Sequence, residues 1–560
     1  MKNGYVSSKI QMNTVKEALT LQIDSVSLSS NNRLIELYRN EDKNIMHYFD
    51  YHPYEDFALR AEHIDNQNYN RETLADILYE MNKQWGAPVS SLRQIDRLRE
   101  SDSLVVIGGQ QAGLLTGPLY SINKLISIVQ VAREQEKVLN RTVIPVFWIA
   151  GEDHDLDEIN HVFTPRDNEV YKHRLTTETN NKKSVSHLDL DPVEVESWLK
   201  RTFGDLQETS YTKELFEEIR ESLGKSKTYV DFFAHLIFKL FPDEGIVLID
   251  SAHHNIRKLE SDFFKELILQ QHQIAKSVYE AEQRLNQAGC AVPLGAEQDD
   301  AHLFFHDEYN ERILLKYVDG DWIGKNDEVS LTTEELLEVA SVQPERLSNN
   351  VVTRPLAQEY LFPTLAFVGG DGEISYWATL KGAFHAVGFY MPPVLRRMSF
   401  TYQTERTSKL LNLRVLNAPD VIRNGVEKEK MNWLQSQTTP PINQLFHEAS
   451  KQITDIHEPL RELAQQISFD LQEEANKNLD YMKENLAYLQ RKTNQKLTEY
   501  NEQVLMQFTE ISNELKPNGG LQERTWSPLP FVNEYGVAFL RQLMNTETLT
   551  IKDGHYIVTL

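Results

Sequence analysis

The sequence predicts an α/β fold: a Rossmann-like parallel-sheet core with helical insertions, followed by a long C-terminal α-helical coiled coil. Three observations predict it. Short apolar runs, "LVVI" at 104–107, "VIPVF" at 143–147, "GIVLID" at 245–250 and "PTLAFVGG" at 363–370, stop at or near glycine or acidic residues. Strands buried on both faces read this way. Stretches of helical periodicity separate them, so crossover connections and parallel pairing are expected. Beyond Ile453, apolar residues recur in alternating steps of three and four over several heptads, the signature of a coiled coil.

Residues 1–100 are polar and mostly helical in pattern; at 71–84, Leu74, Ile77, Leu78 and Met81 share one helix face. The core spans 101–420. After the first strand, Thr116 is suited to cap a helix with Pro118 in its first turn, and Leu119, Ile122, Ile126 and Val129 recur at helical spacing. "YVDFFAHLIFKLF" and "ISYWATLKGAFHAVG" read as helices and "PPVLRRMSF" as a strand. Polar stretches at about 160–225 and 270–350 read as insertions. In the coiled coil, 421–516, the seam includes Ile456, Leu460, Leu463, Ile467, Leu471, Leu479, Met482, Leu486 and Leu489. Pro459 predicts a kink or the first turn of a new helix. "KPNGG" at 516–520 ends the region, and 517–560 returns to the core. So long a seam needs burial, either in a homodimer or in an intramolecular helical hairpin.

Composition narrows the function. A chain of 560 residues makes about three or four structural units. Its formal charge of −25 opposes general binding to nucleic acid or to anionic membrane. The single cysteine, Cys290, allows no intramolecular disulfide and no CxxC metal site. No signal-peptide core and no apolar stretch of about 18 residues is present, so a cytoplasmic protein is expected.

Four segments carry candidate chemistry. "GGQQAGLLTGPLY" at 108–120 fits neither GxGxxG nor GxxxxGK[ST], because Leu114 stands where a P-loop lysine belongs. Its glycines and glutamines still lie between a strand and a helix. Gln110, Gln111, Thr116, Gly117 and Tyr120 are candidates for a carboxylate or phosphate cradle; a tight turn is the alternative. In "GEDHDLDEINHV", His154 lies between Asp153 and Asp155, whose charge would raise its pKa and suit it to acid/base work. Glu152 and its neighbours could hold an ammonium or a Mg²⁺ bridged to phosphates, and Asn160 closes the segment. The alternative is an acidic helix start, to which Asp157 and Glu158 belong. No metal site is assigned: His154 and His161 are seven apart and lack a third ligand. Arg354 offers a fork for an anion, Glu373 and Tyr376 follow a glycine-rich turn, and Arg396 and Arg397 in a strand-like run suggest an anion partner or structural salt bridges. Arg524, Trp526, Asn533 and Tyr535 form a candidate clamp for a purine and its phosphates, or pack the coiled coil onto the sheet.

Taken together, "GGQQAGLLTGPLYSINK", "PVFWIAGEDHDLDEINHV", "NNVVTRPLAQE", "GEISYW" and "QERTW" resemble the BshC family of cysteine-adding enzymes in bacillithiol biosynthesis. The resemblance runs in order from about residue 100 to the end. It implies a dimer made by the coiled coil. It also implies the last step of the pathway, joining the carboxyl of L-cysteine to the amine of glucosaminyl-malate, together with an ATP/ADP-type nucleotide site. Two positions depart from the family: Asn123 stands where histidine is frequent, and Asp371 where proline is. For such a reaction, Gln110 and Gln111 would serve an oxyanion, and His154, oriented by Asp153 or Asp155, would be the base. Glu152 or Glu373 would hold an ammonium, and Arg354 a carboxylate or phosphate. A non-catalytic nucleotide-binding scaffold and a nucleotidyltransferase acting on another sugar conjugate are the alternatives. Any of these readings needs the segments near 110, 154, 354 and 373 to meet in one cleft.

Overall fold

The computed structural model describes residues 21–176, 183–552 and 554–560. Its centre is a five-stranded sheet of β1 (Leu104–Gln110), β2 (Val143–Ile149), β3 (Val247–Asp250), β4 (Thr364–Gly369) and β5 (Val394–Arg396). All neighbours are parallel, and the order is β5-β4-β1-β2-β3. Every residue of β2 is buried, as are the first five of β1, which explains the unbroken apolar runs. Pro145 is tolerated inside β2 because pairing to β3 begins only at Val146. The strand order reverses at β1: the chain moves outward through β2 and β3, then returns to place β4 on the other side. A crevice opens beyond the carboxyl ends of strands at such a reversal.

Helix α1 (Tyr120–Leu139) covers β1 and β2 with Ile122, Leu125, Ile126 and Val129. Thr116 does not cap it. Leu115 and Thr116 both take left-handed φ angles, 50° and 71°, in a short 3₁₀ turn, and the Thr116 hydroxyl is buried without a partner. Helix α2 (Thr353–Leu361) precedes β4, and α3 (Asp371–Trp377) follows it. Asn350 accepts from the N–H groups of Val352 and Thr353 and so fixes the start of α2. Pro355 falls in the first turn, where no donor is needed.

The N-terminal part is helical from Arg33 to Arg97, but Gln22–Val26 is a strand. It pairs with the C-terminal strand His555–Thr559, which also pairs with Ser399–Gln403. The buried pair Arg60–Glu359 ties the N-terminal helices to α2. The first insertion holds a hairpin, His161–Arg166 with Glu169–Arg174, and two helices. The second is built largely on an antiparallel sheet rather than on helices alone; Asp300–His306, Arg312–Val318 and Leu347–Asn349 are among its strands.

Helices α4 (Ile442–Ile467) and α5 (Phe469–Tyr500) form an antiparallel hairpin, with Asn443 bonded to Gln490 and His457 to Asn478. Pro459 lies inside α4 and does not end it. Both Pro459 and Asp455, whose carbonyl the proline leaves unbonded, are exposed, so water satisfies it. The break comes at Ser468, whose hydroxyl caps α5 through Leu471 N–H. Helix α6 (Glu502–Leu515) packs Phe508, Ile511 and Leu515 against Leu411, Val421 and Ile422. Among the described residues, no helix is long and apolar enough to cross a membrane.

The segment after α6 is pinned to the core. Gln522 bonds the backbone N–H and C=O of Tyr402. Buried Glu523 accepts from both terminal nitrogens of Arg397 at 2.7 Å and from Asn123 at 2.7 Å. Burial alone drives the Glu523 pKa up, but Arg397 and these bonds outweigh it and pull it to about 2. A glutamate in the unfolded chain titrates near 4.5, so between these values only the unfolded state takes up the proton. The stabilisation is complete above about pH 5 and is lost as pH falls through that interval. Glu523→Gln is expected to remove about 3 kcal/mol of stability at neutral pH and to flatten the acid limb of the stability curve. Urea unfolding across that pH range measures both.

Candidate active site

A cleft of about 510 Å³ lies beyond the carboxyl ends of β1, β2, β4 and β5. Its lining joins four distant segments: Gln110 and Gln111, Asp153 and Glu158, Arg354 and Gln358, and the stretch from Gly370 to Tyr376. Tyr120, Lys124, Arg397 and Arg524 complete it. Gly109 is required where the backbone passes close to β2, since a Cβ there would sit 2.3 Å from the Trp148 carbonyl.

The floor is Lys124, a residue that sequence reading missed. It projects from the first turns of α1 and is fully buried. Its ammonium donates to the Gly109 carbonyl at 2.6 Å, to Gln110 Oε1 at 3.3 Å and to Glu373 Oε2 at 2.5 Å. Burial lowers its pKa, and the Glu373 charge opposes that. Glu373 Oε2 also accepts from Gly370 N–H at 2.7 Å, capping α3. One ammonium therefore joins the end of β1 to the turn after β4. The available signal was its position within "YSINK", on the strand-facing side of α1.

Arg354 projects from the first turn of α2. Its Nε donates to Glu152 at 2.8 Å, among the described residues the side chain's only hydrogen bond, and Arg354 lines the cleft. Burial disfavours its charge, but Glu152 and Asp153 prevail and raise its pKa. Glu152 is thus a buried support for Arg354, not part of the cleft wall. Arg257 Nη2 lies 4.0 Å behind it.

Asp153 lines the cleft and accepts from Gln111 Nε2 at 2.9 Å. Burial opposes its ionisation, yet Arg354, Arg312 and this bond hold the carboxyl below its usual range. Arg312 comes from the second insertion, also unforeseen. It stacks 3.7 Å from the centre of the Phe304 ring and reaches Asp153 at 3.5 Å and His154 Nδ1 at 3.3 Å. Burial pushes its pKa down to about 10 against the pull of Glu152 and Asp153.

Several candidates stand elsewhere. His154 lies beside the Arg312 guanidinium and the Phe304 ring edge, not on the cleft wall. Asp155 is exposed and caps the turn Leu156–Ile159 through Asp157 N–H. Asn160 is buried, with Oδ1 unbonded. Arg396 points away and pairs with Asp371, Nε to Oδ1 at 2.5 Å, while its neighbour Arg397 meets the cleft. Gly117 sits at φ 70° in the turn before α1. Thr116 lines a second, mainly apolar cleft of about 450 Å³ together with Leu529, Val532 and Tyr535.

The four residues expected to clamp a nucleotide are not gathered. Arg524 lines the first cleft and Tyr535 the second. Trp526 is buried, donating to the Asn513 carbonyl, and Asn533 bonds Gln207 and Thr212. Among the described residues, the carboxylates spaced to share a cation are Glu297, Asp299 and Asp300, and Lys316 already pairs with the first two.

Comparison with known proteins places this geometry. The family described as "Bacillithiol biosynthesis BshC, N-terminal Rossmann-like domain" matches residues 21–398, and "Bacillithiol biosynthesis BshC, C-terminal coiled-coil domain" matches 400–560. The chain is 40% identical to a protein of Oceanobacillus iheyensis over 96% of this chain and 99% of that one. It is 38% identical to one of Bacillus cereus, over 93% and 97%, and 39% identical to one of Bacillus cytotoxicus, over 93% and 97%. All three carry the name "Putative cysteine ligase BshC".

Glu152 and Asp153 are adjacent yet differ in kind, one a buried counter-ion and the other a wall residue. Glu152→Gln is expected to cost about 3 kcal/mol of stability by leaving Arg354 and Arg257 without their charge partner. Asp153→Asn, nearer solvent, should change it by about 1 kcal/mol or less. Denaturant curves of the two variants, side by side, measure the difference.

Proposed function

The chain belongs to the BshC family, and from that premise we propose that it is a ligase forming the amide between L-cysteine and glucosaminyl-malate, the last step of bacillithiol biosynthesis. The observation that carries this reading is the cleft's division of charge. Arg354 and Arg524 line the same cleft as Asp153 and Glu158. A malate conjugate brings carboxylates for the first group. An amino acid brings an ammonium for the second, where Asp153 stays ionised at neutral pH.

A carboxylate and an amine do not condense at neutral pH without activation. The reading therefore includes ATP with Mg²⁺. A bound nucleotide would supply the activation, turning the cysteine carboxylate into an acyl-phosphate with release of ADP or into an acyl-adenylate with release of pyrophosphate. The sugar amine attacks the carbonyl, phosphate or AMP leaves, and the amine's proton passes to solvent or a wall carboxylate. The protein's share is to hold both reactants in register and to stabilise charge on the carbonyl oxygen with donors already fixed in place. A reducing cytoplasm suits a thiol product and a buried Cys290.

We propose further that the α4–α5 hairpin pairs with that of a second copy. Ile456, Leu460, Leu463, Ile467 and Phe469 stay exposed after the hairpin has closed, a row of apolar side chains that a dimer would bury.

Incubation with cysteine, glucosaminyl-malate and ATP/Mg²⁺, read by mass spectrometry, is expected to yield the amide; folded protein that makes none with any nucleotide overturns the reading. Arg354→Lys loses the planar fork and should raise KM for glucosaminyl-malate by about tenfold with a smaller change in kcat. Leu460→Lys combined with Leu463→Lys should convert dimer to monomer in sedimentation velocity.

A further inference from the structure

Gln110 and Gln111 are consecutive, both line the cleft, and each is tied to a group of opposite character. We propose that Lys124 and Asp153 set these two amides to opposite polarity. Gln110 then presents its N–H₂ to the cleft as the donor for a substrate carboxylate or nascent oxyanion, and Gln111 presents its oxygen to an ammonium or hydroxyl. Lys124 is the positioning residue for Gln110, and Gln110 determines specificity for an anionic oxygen. What the substrate is rests on the function proposed above; the polarity of the pair does not.

The argument is one of donor and acceptor inventory. An ammonium has three protons and no lone pair. Those of Lys124 reach the Gly109 carbonyl, Glu373 Oε2 and Gln110 Oε1. An amide NH₂ turned toward that ammonium would set donor against donor, so the oxygen of Gln110 must face Lys124. Oxygen and nitrogen diverge from the planar amide carbon, so the nitrogen is directed away from the ammonium. Asp153 is the mirror case. An ionised carboxylate only accepts, so Gln111 must offer Nε2, which it does at 2.9 Å, leaving Oε1 turned outward. Among the described residues, neither Gln110 Nε2 nor Gln111 Oε1 has a hydrogen-bond partner within the protein. The backbone holds both side chains at the rim: Ala150 N–H donates to the Gln110 carbonyl at 3.0 Å, and Gly113 N–H to that of Gln111 at 3.0 Å. The glutamine pair is thus a two-sided reader in which the outward atom of each is dictated by an ion behind it.

A double-mutant cycle tests whether Lys124 acts through Gln110. Binding of L-malate is measured by calorimetry for the wild type, Gln110→Leu, Lys124→Met and the double variant. Gln110→Leu is expected to weaken L-malate about tenfold in the wild-type background and less than about twofold beside Lys124→Met, where nothing holds the amide oxygen. A background of Lys124→Met with Glu373→Gln removes both charges together and serves should the single variant not fold. Equal effects of Gln110→Leu in both backgrounds overturn the proposal, since a merely structural or long-range electrostatic lysine gives additivity. Failure of L-malate to bind the wild type overturns the donor assignment of Gln110. Coupling without amide synthesis upholds this inference and removes the ligase reading; amide synthesis without coupling does the reverse.

Discussion

An ammonium ion buried at the seam of a parallel sheet organises this protein. Lys124 meets the reversal of strand order from below and spends its protons on β1 and on the turn after β4. A buried charge must be paired and bonded or it does not stay charged. Here the partners belong to chain segments some 250 residues apart: Lys124 and Glu373 are 249 positions distant in sequence. The crevice that any parallel sheet opens at such a reversal is thereby given fixed walls, and the groups on those walls inherit their orientation from ions one layer deeper.

The same logic repeats outward. Glu152 orients Arg354, Arg312 steadies Asp153, and Glu523 neutralises Arg397. Arg354, Asp153 and Arg397 each stand on an ion of opposite sign, drawn from distant parts of the chain: the second insertion supplies Arg312, and the C-terminal segment supplies Glu523. The insertions therefore do more than enlarge the fold. The second carries Arg312, a counter-ion for Asp153 that no strand of the central sheet supplies.

Strands and cleft could be read from the sequence for a simple reason. A strand buried on both faces is an unbroken apolar run, and ligand groups cluster where such runs stop, which located Gln110, Asp153 and Glu373; Arg354, on α2 ahead of β4, was found instead as an anion-binding fork in the same cleft. The supporting ions were illegible because their partners are defined only in space. Lys124 looks like any lysine on a helix. Arg396 and Arg397 differ by one position, and the alternation of a strand decides which meets the cleft. His154 sits between carboxylates in sequence, but the neighbour that matters, Arg312, arrives from a sheet more than 150 residues on, a separation of 158. Pro459 starts no new helix, and the exposed helix face leaves the carbonyl that its missing N–H would have bonded open to solvent. The hairpin of α4 and α5 and the exposed seam both follow from one repeat, because a hairpin buries only part of so wide an apolar stripe.

The strand Gln22–Val26 lies beside His555–Thr559, which in turn lies beside Ser399–Gln403. The first described strand therefore finds its sheet partner only once residues 555–559 have been made. Arg397 waits as well, without its carboxylate, until position 523 has emerged. A chain that stops before residue 523 leaves the Arg397 guanidinium unneutralised, and one that stops before residue 555 leaves the Gln22–Val26 edge unpaired. Both closures thus depend on late-made residues: the sheet edge and the buried guanidinium are satisfied only after residues 555–559 and 523 have been synthesised.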